Sequence, residues 1–125
     1  MVTKSITLPI PDNRLSPNKS PNRHVKTRLV REARTHSERE TYKAMNSWGL
    51  PPGSYYVESL RYVAYWKTAR HKRDDTNLIG SCKHYEDGIQ DAIGQDDSTW
   101  SVQQPEHYVS PDNPRLEIQI NIILL

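Results

Sequence analysis

The pattern of apolar and polar positions divides the chain into six elements, of which the longest is a helix. Residues 25–48 contain neither Pro nor Gly, and apolar residues recur among many charges near helical spacing. The apolar positions are Val25, Leu29, Ala33, Met45 and Trp48. The spacing predicts a long, mostly solvated helix whose arginines at positions 28, 31, 34 and 39 point outward.

A second helix is predicted over residues 76–93. One of its sides carries apolar residues at intervals of three and four, which is typical of a core-facing side. These residues are Leu78, Cys82, Tyr85, Ile89 and Ala92 or Ile93. Lys83 projects from roughly the opposite side, in line with Thr76, Gly80 and Asp87. We therefore expect the Lys83 side chain to be exposed.

Four segments have the composition of strands. They are residues 5–11, residues 55–67, and two segments after residue 97 that read STWSVQQPEHYVS and RLEIQINIILL. In the last segment, apolar residues alternate with polar ones, which predicts one buried face. These apolar residues are Leu116, Ile118, Ile120 and Ile122.

The order strand, helix, strand, helix, strand, strand predicts the fold class. We expect one small α/β (α+β) domain over residues 1–125, with a mixed sheet and helices packed on it. The chain is of one-domain length, at 125 residues, and 34% of these are hydrophobic. The segment between the first strand and the first helix is rich in Pro and Asn and is predicted to be a loop.

Composition excludes several classes of protein. There is no apolar run of membrane-spanning length, and the N-terminal residues lack the apolar centre of a signal peptide. We therefore expect a cytoplasmic protein that binds no membrane. The single cysteine, Cys82, cannot form an internal disulfide or a zinc ribbon, and is predicted to be a small buried residue. No small-molecule cofactor is expected.

Charge is distributed unevenly along the chain. Residues 1–73 hold fifteen of the seventeen lysines and arginines and five of the fifteen acidic residues, whereas residues 74–125 hold two basic and ten acidic residues. Basic surfaces attract polyanions and carboxylates hold hard metal ions, so nucleic acid is the first partner to consider. The alternative is a solvated basic helix packed beside an acidic one.

Two aspartate pairs, 74–75 and 96–97, flank the second predicted helix. Hydrolysis of a phosphodiester needs a hard cation held by carboxylates, and often a cationic side chain that stabilises charge on the phosphate. The pairs and Lys83 could supply these groups if the turn at Gly94 brings the second pair back. The alternative is that Asp74 caps the helix and that Asp96 and Asp97 form an ordinary turn.

The segment KRDDTNLIGSCKHYEDGIQDAIGQDDSTW resembles the core of the RusA family of Holliday junction resolvases, and the upstream LSPNKSPNRHVKTR resembles the loop ahead of that family's first helix. The resemblance covers nearly the whole chain. It implies a homodimeric endodeoxyribonuclease, encoded by a phage or prophage, that cuts four-way DNA junctions by paired nicks with Mg²⁺, or with Mn²⁺ as the alternative metal. The partner that it implies is branched DNA.

The resemblance also assigns roles to individual residues. Those assigned to catalysis are Asp74, Asp97 and Lys83, and Lys83 matches once a gap of three residues is allowed. Those expected to bind the metal are Asp74, Asp75, Asp96 and Asp97, of which Asp75 would need a local register shift to take the place of the family's second aspartate. Those expected to contact DNA are Arg70, His71, Lys72, Arg73, Asn18, His24 and Asn77.

One position departs from the family pattern. Thr76 stands where the family has its second aspartate, and a hydroxyl binds Mg²⁺ less firmly than a carboxylate. The departure leaves two functions open: an active resolvase, or a junction-binding protein of the same fold with weakened catalysis. An α/β interaction module that does not bind DNA is the third alternative.

The C-terminal sequence IQINIILL gives a separate argument for a dimer. It is an apolar strand at the chain end, and an uncovered edge strand of this kind would invite pairing with a second copy.

Overall fold

The computed structural model describes residues 1–125, except for the side chain of Asp97. Its main elements are β1 (Val2–Leu8), α1 (Arg23–Trp48), β2 (Tyr55–Trp66), α2 (Asp75–Ser81), α3 (Lys83–Ile93), β3 (Ser101–Val102), β4 (Glu106–Val109) and β5 (Arg115–Leu124). Short 3₁₀ turns lie at Asn13–Leu15, Ala69–His71 and Asp97–Thr99.

The strands form one mixed sheet. β5 lies between β1 and β2 and is antiparallel to both, whereas β3 and β4 both pair with the far edge of β2 in parallel. Parallel pairing requires a crossover connection, and α2 and α3 provide it. The predicted α/β class, with a mixed sheet and packed helices, is confirmed.

The position of β5 corrects the edge-strand argument for a dimer. That argument placed the C-terminal strand at an open edge, but β5 is hydrogen-bonded on both sides over most of its length. The strand is apolar because its alternate residues enter the core: Leu116, Ile118, Ile120 and Ile122 are all fully buried. The edges of the sheet are instead β1 and the short strands β3 and β4.

The long helix is confirmed, and its arginines at positions 28, 31, 34 and 39 are exposed as predicted. The gap in its apolar pattern between Ala33 and Met45 is filled by two buried hydroxyl residues, Ser37 and Thr41. Both donate hydrogen bonds to carbonyls of their own helix, so their polar groups are satisfied.

Within the described chain, no helix is both long and apolar enough to span a bilayer.

The predicted second helix is divided into α2 and α3 at Cys82. Cys82 has φ −89° and ψ −1°, and its N–H points to carbonyls of the last turn of α2. Pro17 packs against Gly80, where a Cβ atom would lie only 2.2 Å from the proline ring. As predicted, Cys82 is buried, and burial raises the pKa of its thiol.

Two strand predictions need correction in detail. The first strand covers Val2–Leu8 and ends before Pro9, earlier than the predicted residue 11. The segment after residue 97 forms two short strands, β3 and β4, instead of one. Pro105 lies between them, and a proline cannot donate a ladder hydrogen bond.

Candidate active site

The start of α2 holds the first predicted carboxylate. Asp74 is the N-cap of this helix: its Oδ1 accepts a hydrogen bond from the Asn77 backbone N–H at 2.8 Å, and its Oδ2 accepts one from the Asn77 amide at 3.0 Å. The capping interpretation is therefore confirmed. Asp74 remains exposed, and each of its oxygens has a second lone pair available. Asn77, a predicted DNA contact, thus donates one of its side-chain amide hydrogens to Asp74.

Asp75 is tied to the sheet by a chain of two hydrogen bonds. Its Oδ1 lies 2.6 Å from Nε2 of His107 in β4, and Nδ1 of the same ring accepts the indole N–H of Trp66 in β2 at 3.0 Å. An indole nitrogen only donates, so the proton of a neutral His107 lies on Nε2 and is donated to Asp75. The rings of His107 and the buried Trp66 are nearly parallel, with an interplanar angle of 11° and centroids 6.0 Å apart. Together, β2 and β4 fix the direction of the Asp75 carboxylate.

Lys83 begins α3 and is about half exposed, which confirms the predicted exposure. Its Nζ lies 3.4 Å from Glu86 and 3.3 Å from Asp87. Glu86 is buried, and its second oxygen accepts the indole N–H of Trp100 at 3.2 Å. This arrangement positions the Lys83 ammonium at the surface, where a phosphate can approach it.

The basic run before α2 divides into two parts. Arg70, His71 and Lys72 are exposed in and after a 3₁₀ turn, and the His71 ring is hydrogen-bonded to the Thr68 hydroxyl at 2.7 Å. Arg73 is different because it packs inward, with its guanidinium 5.6 Å from the Trp66 ring centroid. Burial lowers the pKa of Arg73. Only the first three residues of the run therefore present their side chains fully to solvent.

The loop between β1 and α1 packs against the last turn of α2. Pro17 packs on Gly80 of α2, and next to it the Asn18 side chain accepts a hydrogen bond from the Ser16 hydroxyl at 2.8 Å. His24 is exposed in the first turn of α1. The Ser-Pro-Asn loop is thus held next to α2, and both predicted DNA contacts of this segment, Asn18 and His24, lie at the surface.

The second aspartate pair follows α3. Asp96 is exposed, and its Oδ1 accepts the backbone N–H of Ser98 at 2.9 Å, which is the turn predicted as the alternative. The backbone of Asp97 begins the 3₁₀ turn Asp97–Thr99. The predicted catalytic and metal-binding role of Asp97 falls on its side chain, which lies outside the described part of the structure.

Of the side chains that the structure describes, the two carboxylates at the start of α2 could hold a metal. Among the described side chains, no three His, Cys, Asp or Glu residues lie together in a way that would hold an ion. Mg²⁺ in phosphate-binding sites is, however, commonly bound through one or two carboxylates, waters and the phosphate itself. Asp74, and Asp75 through its second oxygen, fit that smaller requirement.

Sequence reasoning did not identify four residues around the site. His107 and Trp66 orient Asp75, and Glu86 and Trp100 orient the Lys83 region. The sequence does contain an indication of the role of Glu86, because this glutamate directly follows Tyr85 on the buried side of the predicted helix. For His107 no local signal exists, since its partner Asp75 lies 32 residues away in the chain.

Comparison with known proteins gives a limited result. No family model matches the chain. An uncharacterized protein of Xylella fastidiosa (strain Temecula1 / ATCC 700964) is 35% identical over 97 residues, which cover 75% of this chain and 60% of that protein. The chain thus spans about 60% of the length of this relative, whose name states no activity.

Proposed function

We propose that this protein is a Mg²⁺-dependent, structure-specific endodeoxyribonuclease that resolves four-way DNA junctions, with Mn²⁺ as an alternative metal. The observation that carries the proposal is the position of Asp74 and Asp75 at the start of α2, directly after the exposed basic residues 70–72. Phosphodiester hydrolysis needs carboxylates for a hard metal and cations for the phosphates. The resemblance to the RusA family supports the same function, in the cytoplasm of a bacterial host.

Each residue of the site has a proposed part in the reaction. Asp74 and Asp75 hold Mg²⁺, and His107 keeps the Asp75 carboxylate in one orientation. When bound, Mg²⁺ supplies a Lewis acid for the phosphate and lowers the pKa of a coordinated water. Lys83 stabilises charge on the phosphate, and the exposed basic residues 70–72 position the DNA backbone. Asp97 and Asp96 complete the carboxylate set that the family resemblance implies.

We also propose that two copies act together as a homodimer. A four-way junction has two-fold symmetry, and its resolution requires nicks in two opposing strands. Two symmetry-related sites would meet this requirement. This proposal rests on the family resemblance and on the symmetry of the substrate, since the C-terminal strand lies inside the sheet.

A second function of the same fold is binding without cleavage. The observation that favours it is Thr76, which lies exposed in the first turn of α2 where the family has an aspartate. A site that loses one carboxylate loses affinity for Mg²⁺, and with it the rate of hydrolysis. Such a protein would bind junctions independently of Mg²⁺.

The test is a nicking assay on a labelled synthetic four-way junction and a linear duplex of the same sequence, with and without Mg²⁺. We expect the wild-type protein to nick the junction only when Mg²⁺ is present. Asp74→Asn should reduce the rate by at least about a hundredfold, because a carboxamide is a weak ligand for Mg²⁺. Asp112→Asn, in an exposed turn after β4, is the matched control and should keep the wild-type rate.

Each result of the assay has a definite meaning. Binding of the junction without nicks would overturn the nuclease and establish the binding protein. Neither binding nor nicks would overturn both functions. Equal rates for Asp74→Asn and wild type would show that any nicking comes from elsewhere in the protein or from a contaminant.

A further inference from the structure

The N-terminal half of α1, with Pro21 before it, forms a shallow, open basic groove that no predicted site residue lines. The groove has a volume of about 640 Å³. Four cationic residues line it, together with Pro21 and Val30: Arg23, Lys26, Arg31 and Arg34. These residues lie on successive turns, so the charges follow the helix axis over roughly 17 Å.

Most of the charge in the groove is not neutralised by the protein itself. Arg34 is held by Asp91 of α3 through two hydrogen bonds of 2.6 and 3.0 Å. Within the described residues, the side chains of Arg23, Lys26 and Arg31 have no acidic partner, and no acidic residue lines the groove. Three exposed cations on one surface leave a strong positive potential.

Two groove residues, Lys26 and Arg34, lie near the His84 side chain, which follows Lys83 at the start of α3. The pKa of His84 is lowered by burial and also by the nearby charges of Lys26, Lys83 and Arg34, against an opposing effect of Asp87. Cations from α1 and from the proposed active site thus act on the same imidazole. Lys83 is paired with Glu86 and Asp87, and Arg34 with Asp91, so the positive charge of the groove comes mainly from Arg23, Lys26 and Arg31.

We propose that this groove binds the phosphate backbone of one duplex arm of the DNA whose cleavage site lies at Asp74 and Lys83. The inference rests on the proposed function and adds to it the surface that holds the substrate. The argument is charge complementarity: a row of unpaired cations along a helix matches the repeated phosphates of a duplex, and such contacts are independent of base sequence.

The experiment measures the affinity for the four-way junction at several salt concentrations. The test variant is Lys26→Gln/Arg31→Gln, which removes two groove cations. The control is Arg39→Gln/Lys43→Gln, which removes two cations from the same helix about 18 Å further along. Thermal unfolding of each variant is measured beside it, so that a loss of folding is recognised.

The slope of log affinity against log salt reports the number of phosphates contacted. We expect the groove variant to lower that slope by about two and the affinity by at least about tenfold, since each phosphate contact contributes nearly one unit of slope. The control variant should keep the wild-type slope.

The two ways of failing are distinguishable. If the wild type binds the junction with a steep slope and the groove variant behaves identically, or if the control loses as much, the groove assignment is overturned and the proposed function stands. If the wild type binds neither junction nor duplex, the proposed function fails and the groove assignment fails with it.

Discussion

At the scale of single residues, the contact between Asp75 and His107 fixes the direction of a carboxylate at the start of α2. One ring nitrogen of His107 is hydrogen-bonded to Asp75 and the other to Trp66, so both nitrogens of the imidazole have a partner within the protein. The arrangement resembles the support that protein scaffolds give to metal-binding carboxylates, where an outer partner fixes the direction of the ligand.

A double-mutant cycle tests this chain of hydrogen bonds. His107→Phe leaves the buried indole N–H of Trp66 without an acceptor, so we expect it to lower the free energy of unfolding by about 1–3 kcal/mol. In a Trp66→Phe background the unsatisfied donor no longer exists, so His107→Phe should lower the free energy of unfolding by about 1 kcal/mol less than it does in the wild type. Urea unfolding measures all four proteins. Equal costs in the two backgrounds would refute the Trp66–His107 bond.

The sequence allowed prediction of the residues whose role depends on local context. Asp74 at a helix start and Lys83 on an exposed side follow from spacing within one element. His107 and Trp66 could not be predicted, because their contact with α2 depends on β4 pairing in parallel with β2. The local sequence pattern of β2 or of β4 does not determine how the two strands pair.

At the scale of elements, the crossing of α1 and α3 depends on the absence of a side chain at Gly88. A Cβ atom there would lie 1.9 Å from the Ser37 hydroxyl oxygen and 2.3 Å from the Arg34 carbonyl oxygen. The crossing therefore needs both a glycine on α3 and a small residue on α1. This requirement explains why a serine occupies a fully buried position in the long helix.

Substitution of Gly88 tests the close crossing. Gly88→Ala improves helix propensity by about 1 kcal/mol, but it forces two backbones apart, a change that commonly costs about 1–3 kcal/mol and can cost more. We expect a net loss of at least about 1 kcal/mol in the free energy of unfolding, measured by urea titration. Gln90→Ala, on the same helix, is the control and should be nearly neutral. A stabilised Gly88→Ala variant would contradict the packing described.

The pair formed by Arg34 and Asp91 gives the contact between α1 and α3 a dependence on pH. The hydrogen bonds from Arg34 hold the pKa of Asp91 below its ordinary value. The pair therefore stabilises the fold fully above the ordinary carboxyl pKa, and this contribution is lost as the pH falls through the lowered pKa of the folded state.

We accordingly expect Arg34→Gln to destabilise the protein at neutral pH and to cost less in acid, where Asp91 is protonated in both proteins. Urea unfolding of wild type and variant at both pH values measures the difference. Arg39→Gln removes an exposed arginine from the same helix and serves as the control. A cost of Arg34→Gln that is unchanged in acid would show that Asp91 is not the partner that matters.

At the scale of the whole molecule, the sheet brings together segments that are far apart in the sequence. The fold class followed from alternation in β5 and helical spacing in α1, because both patterns are long enough to be unambiguous. The place of β5 in the sheet could not be predicted, since a buried central strand and an exposed apolar edge have the same sequence pattern. The basic and acidic halves are also joined across the fold, for example by the Arg61–Glu106 pair at 3.4 Å.

The most direct test of the proposed nuclease maps nicks on a four-way junction in which each of the four strands is labelled in turn. With Mg²⁺, the proposal predicts nicks at symmetric positions in two opposing strands, no nicks in the linear duplex, and loss of both nicks in Asp74→Asn. An intact junction, bound by the protein in the presence of Mg²⁺ but nicked in no strand, would contradict the proposed activity.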